Sequence, residues 1–204
     1  MTRGPARFAP APERLDGLSD GVFAVVLTLL ALELQLPDPR ADESFVQIAL
    51  DNSAVLETYV IAFFIAGVLW RLQHMVSELS PRGTPFLHSL TLAFLATVTL
   101  TPWSLDNLTS FPDDPVAVIA FSAILLASWS FLIAILTLAL GPAEAERRDG
   151  IRHARLGLLG GPVAALASIG IAPLSTSLAL YAWLLLVPYP YLVKWWAGPM
   201  DEPD

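Results

Sequence analysis

The sequence predicts an all-α membrane protein with six transmembrane helices in each subunit, on three observations. Hydrophobic residues make up 55% of the 204-residue chain and charged residues only 15%, against about 25% charged in an ordinary soluble domain. The apolar residues, which give a mean hydropathy of +0.61, collect into segments near the ~20 residues that a helix needs to cross a ~30 Å hydrocarbon core. Basic residues fall almost wholly on one side of those segments, as the positive-inside rule requires.

In order, the segments are 18–36, 54–76, 86–105, 116–140, 156–171 and 174–196. The polar stretches "PDPRADES", "SELSPRGTP", "DNLTSFPDDP" and "GPAEAERRDGIRHAR" separate the first five. Only the turn at "IAPLSTS" divides the fifth from the sixth, and Pro173 there cannot continue a helix. A five-span alternative treats these last two segments as partly re-entrant. With the N-terminus in the cytoplasm, the inner side holds Arg3, Arg7, Arg14, Arg71, Arg82, Arg147, Arg148, Arg152, Arg155 and Lys194, and the outer side only Arg40. Reversing the orientation breaks the rule at almost every loop. Trp195 and Trp196 beside Lys194 suit an interfacial anchor at the inner face.

Residues 1–13 then form a polar cytoplasmic tail, 14–198 a single six-helix domain and 199–204 a short acidic tail. No short apolar stretch begins in the N-terminal tail, so a cleaved signal peptide is not expected. The chain has no cysteine, which excludes disulfide and thiolate-metal chemistry. With a net charge of -8, no nucleic-acid partner is expected. The outer connections are acidic, with Asp38, Asp42, Glu43 and Asp51 in one and Asp106, Asp113 and Asp114 in the other. Ordinary solvated loop charge accounts for them; a negative vestibule that concentrates cations is the alternative.

The first segment, "RLDGLSDGVFAVVLTLLALELQLP", is an odd membrane helix. Asp20 and Glu33 are thirteen residues apart, about 20 Å of helix, so one of them lies near or within the ~30 Å apolar zone. A carboxylate facing lipid at the centre of the bilayer costs roughly 2.5–3.5 kcal/mol, so it should face protein or water instead. Ser19, Asp20 and Gly21 also suit a helix N-cap, which would explain Asp20 but not Arg14, Asp16 and Glu33 with it. Val25, Thr28, Leu29 and Leu32 follow the i, i+3, i+4, i+7 pattern and share one face. On spacing alone, Thr28 suits a bond to its own backbone or a neighbouring helix as well as a place in a pore.

This stretch resembles the first-helix signature of the transmembrane protein 175 family of lysosomal and prokaryotic potassium channels, Arg-x-x-x-Phe-Ser-Asp-Gly-Val-Phe-Ala followed by a run ending in Leu-Glu. The chain matches at Arg14, Ser19, Asp20, Gly21, Val22, Phe23 and Ala24, then at Thr28, Leu29, Leu30, Leu32 and Glu33, and departs at Leu18. Trp70 and His74 resemble the family's Trp-x-x-His-His pattern, with Gln73 in place of the first His. "TLTPWS" is similar to a Leu-Pro-Phe-Pro element.

The resemblance implies a potassium-permeable channel in a prokaryotic plasma membrane, a homotetramer with the first helix lining the pore and both termini cytoplasmic. Its pore-facing positions fall on Val25, Thr28 and Leu32, with Leu29 beside them. Val25 and Leu32 would form apolar collars around a layer of Thr28 hydroxyls. Val25 is smaller than the Ile or Leu common in the family, which implies a wider constriction. Arg14, Ser19, Asp20, Trp70 and His74 would brace that helix against its neighbours; an interfacial place for His74 is equally open. The chain lacks the Thr-Val-Gly-Tyr-Gly carbonyl filter of other potassium channels. The partners implied are further copies of the chain, membrane lipids and permeant monovalent cations; no cofactor is implied beyond the potassium ions that pass.

Two other classes compete. A lipid-modifying enzyme needs clustered ligands or a nucleophile–base set, and His74, His88 and His153 show no such spacing. A small secondary transporter of cations or small solutes is the alternative that survives, because Pro162, Pro173, Pro188 and Pro190 offer broken spans in the fifth and sixth segments. Against it, the two halves share no visible repeat.

Overall fold

The computed structural model describes residues 12–35, 37, 44–79, 84–140 and 148–197. Asp38, Arg40, Asp42 and Glu43, Arg3, Arg7, Arg82 and Arg147, residues 1–11 and 198–204, and the side chains of Arg148, His153 and Lys194 lie outside the described residues. Every regular element among the described residues is helical: α1 (Pro12–Leu32), α2 (Phe45–Asp51), α3 (Ser53–Leu79), α4 (Pro85–Val98), α5 (Thr101–Ser110), α6 (Pro115–Ala139), α7 (Arg148–Ile171), α8 (Thr176–Tyr181), a 3-10 helix (Ala182–Leu186) and α9 (Tyr189–Ala197).

Five stretches among them are long and apolar enough to cross a membrane: Arg14–Leu32, Ser53–Leu79, Pro85–Ser110, Pro115–Ala139 and Ala154–Ile171. Two of these begin with the same device. Thr84 accepts a hydrogen bond from the Leu87 amide ahead of Pro85, and Asp114 accepts one from the Val116 amide ahead of Pro115. Each cap satisfies an amide that the first turn leaves orphaned, and each proline sits where it has no helical amide bond to lose. Asp114, one of the acidic residues expected on the outer side, is thus a helix cap. The third span bends between α4 and α5, at Thr99 and Leu100, because Pro102 opens the second piece. Pro162, in contrast, lies inside α7 and the helix runs on through it.

The last apolar segment is bent rather than straight. Ser175 caps α8 through the Leu178 amide, the chain tightens into the 3-10 turn, and α9 starts anew beyond Pro188. The apolar stretch Thr176–Leu186 is shorter than the five spans. Side chains tie this segment to the bundle: the Tyr181 hydroxyl donates to Glu57 Oε2 at 2.7 Å and the Tyr189 hydroxyl to the Leu156 carbonyl at 2.6 Å.

At the centre stands α6, packed against α3, α4, α5, α7 and α8. Its buried stripe of Phe121, Leu125, Trp129, Leu132 and Leu136 holds the apolar core together. Inside that core, Ser122 Oγ donates to Ser168 Oγ at 2.8 Å and accepts from Trp183 Nε1 at 3.4 Å, while Thr97 and Ser128 hydroxyls meet at 2.8 Å. Buried hydroxyls in apolar surroundings need such partners, and here they join α4, α6, α7 and the 3-10 turn.

The small residues of α7 divide into two sets. A Cβ on Gly161 would lie 2.0 Å from the Trp129 ring and one on Gly160 2.6 Å from the Tyr189 ring, whereas Gly157 and Gly170 meet nothing within 4 Å. Gly160 and Gly161 therefore serve packing within the subunit.

Candidate pore face and its polar brace

Helix α1 is one-sided. Ser19, Phe23, Val26 and Leu30 are buried, and Phe23 packs on Phe94 of α4 with ring centroids 6.0 Å apart. The opposite side carries Val25, 56% exposed, Leu29, 39%, and Leu32, 67%, with Thr28 exposed between them. Large aliphatic side chains left open on a helix that packs tightly along its other face mark a surface meant for something outside the subunit. The Thr28 hydroxyl donates to the Val25 carbonyl at 2.7 Å. With its proton turned back onto the helix, the oxygen keeps its lone pairs free.

Below this stripe, α1 and α3 run antiparallel and meet through three polar contacts. Ser77 Oγ donates to Asp16 Oδ1 at 2.5 Å, Gln73 Nε2 to Ser19 Oγ at 3.4 Å, and Trp70 Nε1 to Asp20 Oδ1 at 2.8 Å. Ser19 in turn donates to the Leu15 carbonyl at 2.9 Å. Asp20 is not an N-cap: α1 begins at Pro12, so Asp20 stands in its interior and finds its partner on another helix.

Of the five residues expected to brace the helix, the structure brings together Asp20 with Trp70 and places Ser19 against Gln73. Arg14 is exposed near the start of α1, and no hydrogen bond joins it to Asp20 or His74 among the described residues. His74 is exposed, with Nε2 4.0 Å from Glu78 Oε1 and its ring 6.0 Å from that of Trp70. Sequence reasoning missed the Asp16–Ser77 pair and the use made of Gln73. The available signal was the spacing of Trp70, Gln73 and Ser77 at i, i+3 and i+7, one face of α3.

Replacing Asp20 by Ala or Trp70 by Phe is expected to lower the thermal stability of the subunit by about 1 kcal/mol each, because the contact is exposed and the gain from a charged acceptor is discounted by solvent. The double variant should lose little more than the larger single loss. Thermal unfolding of all four proteins in detergent checks this, and strictly additive losses would show the two side chains to be energetically independent.

At the other end of α1, Glu33 lies in the turn that follows the helix. Its carboxyl is held above the ordinary carboxylate range, first by desolvation and then by the charge of Asp106 on α5. Among the described residues no group of His, Asp or Glu side chains has a metal-holding arrangement.

The chain is similar in sequence and in fold to known channel proteins. A family model described as "Endosomal/lysosomal potassium channel TMEM175" matches residues 14–102, the stretch from α1 into α5 that contains both the exposed stripe and the brace. A Streptomyces collinus protein named as a potassium channel is 28% identical over 193 residues, covering 86% of this chain and 89% of its own length. The human endosomal/lysosomal proton channel TMEM175 is 25% identical over 201 residues; the match covers 90% of this chain but only 39% of the human protein. The crystal structure of a lysosomal potassium-selective channel TMEM175 homolog from Chamaesiphon minutus shares the fold, with a TM-score of 0.75 at 22% identity over 90% of this chain and 98% of that one. The family match falls on residues 14–102, the part of the chain that carries the first-helix motif, and the shared fold extends the likeness to a TMEM175 homolog over most of the chain.

Proposed function

We propose that the chain is one subunit of a potassium-permeable channel in a prokaryotic plasma membrane, and that several copies, four on the family resemblance, surround an axis lined by α1. The observation that carries this reading is the one-sided α1, which exposes Val25, Thr28, Leu29 and Leu32 while its other face is packed. A single α1 cannot enclose a path for ions, so the stripe acquires a purpose only when copies bring it face to face. The Streptomyces relative, named as a potassium channel, supports the choice of ion.

In such a ring, Val25 and Leu32 form two apolar collars. A hydrated cation cannot exchange its water for methyl groups, so the collars set the barrier and gate by dewetting. Between them the Thr28 oxygens, whose protons are held by the Val25 carbonyl, offer lone pairs in place of part of the hydration shell. No carbonyl filter loop takes part, no cofactor is required, and no bond is made or broken. The brace of Asp16, Ser19 and Asp20 against α3 holds the helix at its inner end. Arg14, Arg71, Arg152 and Arg155 fall on the α1-start side of the spans by chain order and Asp51, Asp106 and Asp113 on the other, which supports a cytoplasmic N-terminus. The bent segment from α8 to α9 then makes the sixth crossing.

The deciding experiment is reconstitution of the purified chain in planar bilayers and in liposomes. Single-channel currents under a potassium gradient are expected. Slow, saturable uptake coupled to a second ion would replace the channel by a transporter, and currents under a proton gradient alone would reassign the permeant ion.

A further inference from the structure

We propose that the outer face of α3 is a binding site for one anionic phospholipid, with an acyl chain laid in a notch at Gly67 and the headgroup phosphate on Arg71. The proposal needs only a membrane-spanning α3 and stands apart from channel activity.

An open groove of about 380 Å³ runs down this face between Tyr59 and Arg71, walled by Val60, Phe63, Phe64 and Val68. It lies on the side of α3 opposite the buried Ile61, Ala62, Ile65, Ala66 and Leu69, so it faces whatever surrounds the subunit. Its floor is Gly67, where a Cβ would meet nothing within 4 Å. The missing side chain is what cuts the notch. Two phenylalanine rings and two valines supply apolar walls between Tyr59 and Arg71.

The groove has a polar end. Arg71 follows Gly67 by one helical turn, is exposed, and belongs to the lining. It sits next to Trp70, whose indole holds Asp20, at the level where α1 and α3 turn polar. Among the described residues no carboxylate pairs with Arg71. A guanidinium on the outward face of a membrane helix carries an insertion cost that an anion at its own depth relieves. Its planar fork matches the two free oxygens of a phosphodiester.

Length selects a lipid over a free anion. Val60 to Arg71 is eleven residues, about 16 Å of helix, which is close to the depth of one leaflet in a ~30 Å hydrocarbon core. A chain anchored by its headgroup at Arg71 therefore has a groove about one leaflet long in which to lie. Charge selects an anionic lipid over a zwitterionic one. Attraction of a basic residue to an anionic leaflet is worth about 1 kcal/mol, whereas a choline headgroup brings a cation of its own.

Native mass spectrometry of the purified full chain in detergent tests this, with added phosphatidylglycerol or phosphatidylcholine of the same acyl chains. Phosphatidylglycerol should be retained about five- to tenfold more strongly, the ratio that ~1–1.4 kcal/mol gives. Arg71→Gln should bring it down to the phosphatidylcholine level, Arg71→Lys should keep most of the preference, and Gly67→Leu, which fills the notch, should weaken both lipids. Gly67→Ala is the milder variant should the leucine disturb folding, and an unchanged thermal transition certifies Arg71→Gln. Retention unaffected by Arg71→Gln or by either Gly67 variant overturns the proposal. So does full competition by inorganic phosphate, which would mark a headgroup site without an acyl groove. Loss of the oligomer in Gly67→Leu with lipid binding intact would give the groove to a second copy of the chain instead.

Discussion

Replacing Gly161 by alanine is expected to lower the thermal midpoint of the subunit, while the same change at Gly157 or Gly170 leaves it unchanged or raises it. All three glycines lie in α7, so helix propensity favours alanine at each by about 1 kcal/mol. What differs is the space. At Gly161 the new methyl would lie 2.0 Å from Cε2 of Trp129 and 2.2 Å from its Nε1. The indole cannot swing aside: Trp129 is fully buried and packs on Trp183 at a centroid distance of 5.9 Å, which itself meets Phe121 at 6.2 Å. Forcing an extra carbon into such packing costs about 1–3 kcal/mol or more, and the fixed rings put this site at the upper end. The net loss is then about 2 kcal/mol or more. Trp129→Phe should rescue part of it, since a smaller ring vacates the contact and removes an indole N–H that has no partner among the described residues. Thermal unfolding in detergent compares the variants directly. Equal midpoints for Gly161→Ala and Gly157→Ala would show that α6 and α7 do not approach as closely as the structure has them.

The glycines of α7 also show where sequence reading stops. Their smallness is visible in the chain, and so is the inference that helices approach there. Which glycine faces a ring of the same subunit is a tertiary fact, set by the rotation of α7 against α6, and no local pattern encodes it. The brace is similar. Asp20 could be seen to need a partner, because a carboxylate that far along an apolar helix is costly. Arg14 and His74 were expected to help, yet the partners are Trp70 for Asp20, Gln73 for Ser19 and Ser77 for Asp16. Antiparallel packing chooses among the polar residues of α3 by register, and one residue of rotation turns His74 outward.

The spans themselves were more legible, because burial in a bilayer demands a long apolar run whatever the neighbours. The straight ones, α3 and α6, begin and end within a few residues of their apolar segments. The departures have local causes. Helix α1 continues back to Pro12 because nothing in its polar first turns breaks a helix once α3 supports them. The last segment breaks at Pro188, where the amide needed to continue is absent. Pro162 carries the same chemistry and does not break α7, which is held on both sides of it by Gly160, Gly161 and Ala164 packed into the core.

The largest functional effect is expected from the exposed stripe of α1. Asparagine at Leu32 or Val25 should raise potassium flux in liposomes, and tryptophan at either should abolish it. In the proposed ring each collar presents methyl groups where a cation needs oxygen, so the barrier is the cost of thinning its water. A ring of amides supplies hydrogen-bonding oxygens at that point. Lowering the barrier by only ~1.4 kcal/mol increases the rate about tenfold. Leu32, at 67% exposed, projects further from the subunit than Val25, at 56%, and its side chain is longer, so its collar should be the narrower and its asparagine variant the faster. Thr28→Val should act in the opposite sense: it preserves shape, removes the oxygens between the collars, and joins two short apolar zones into one long one. Leu178→Ala, on an exposed residue of α8 away from the stripe, serves as the control and should leave flux unchanged. Because none of the three stripe side chains is buried in the subunit, their replacement should leave the thermal transition near that of the parent protein. Flux changes without stability changes would then place the barrier on α1. Flux that ignores asparagine and tryptophan at both collars would remove α1 from the ion path altogether and leave its exposed face as a contact between copies.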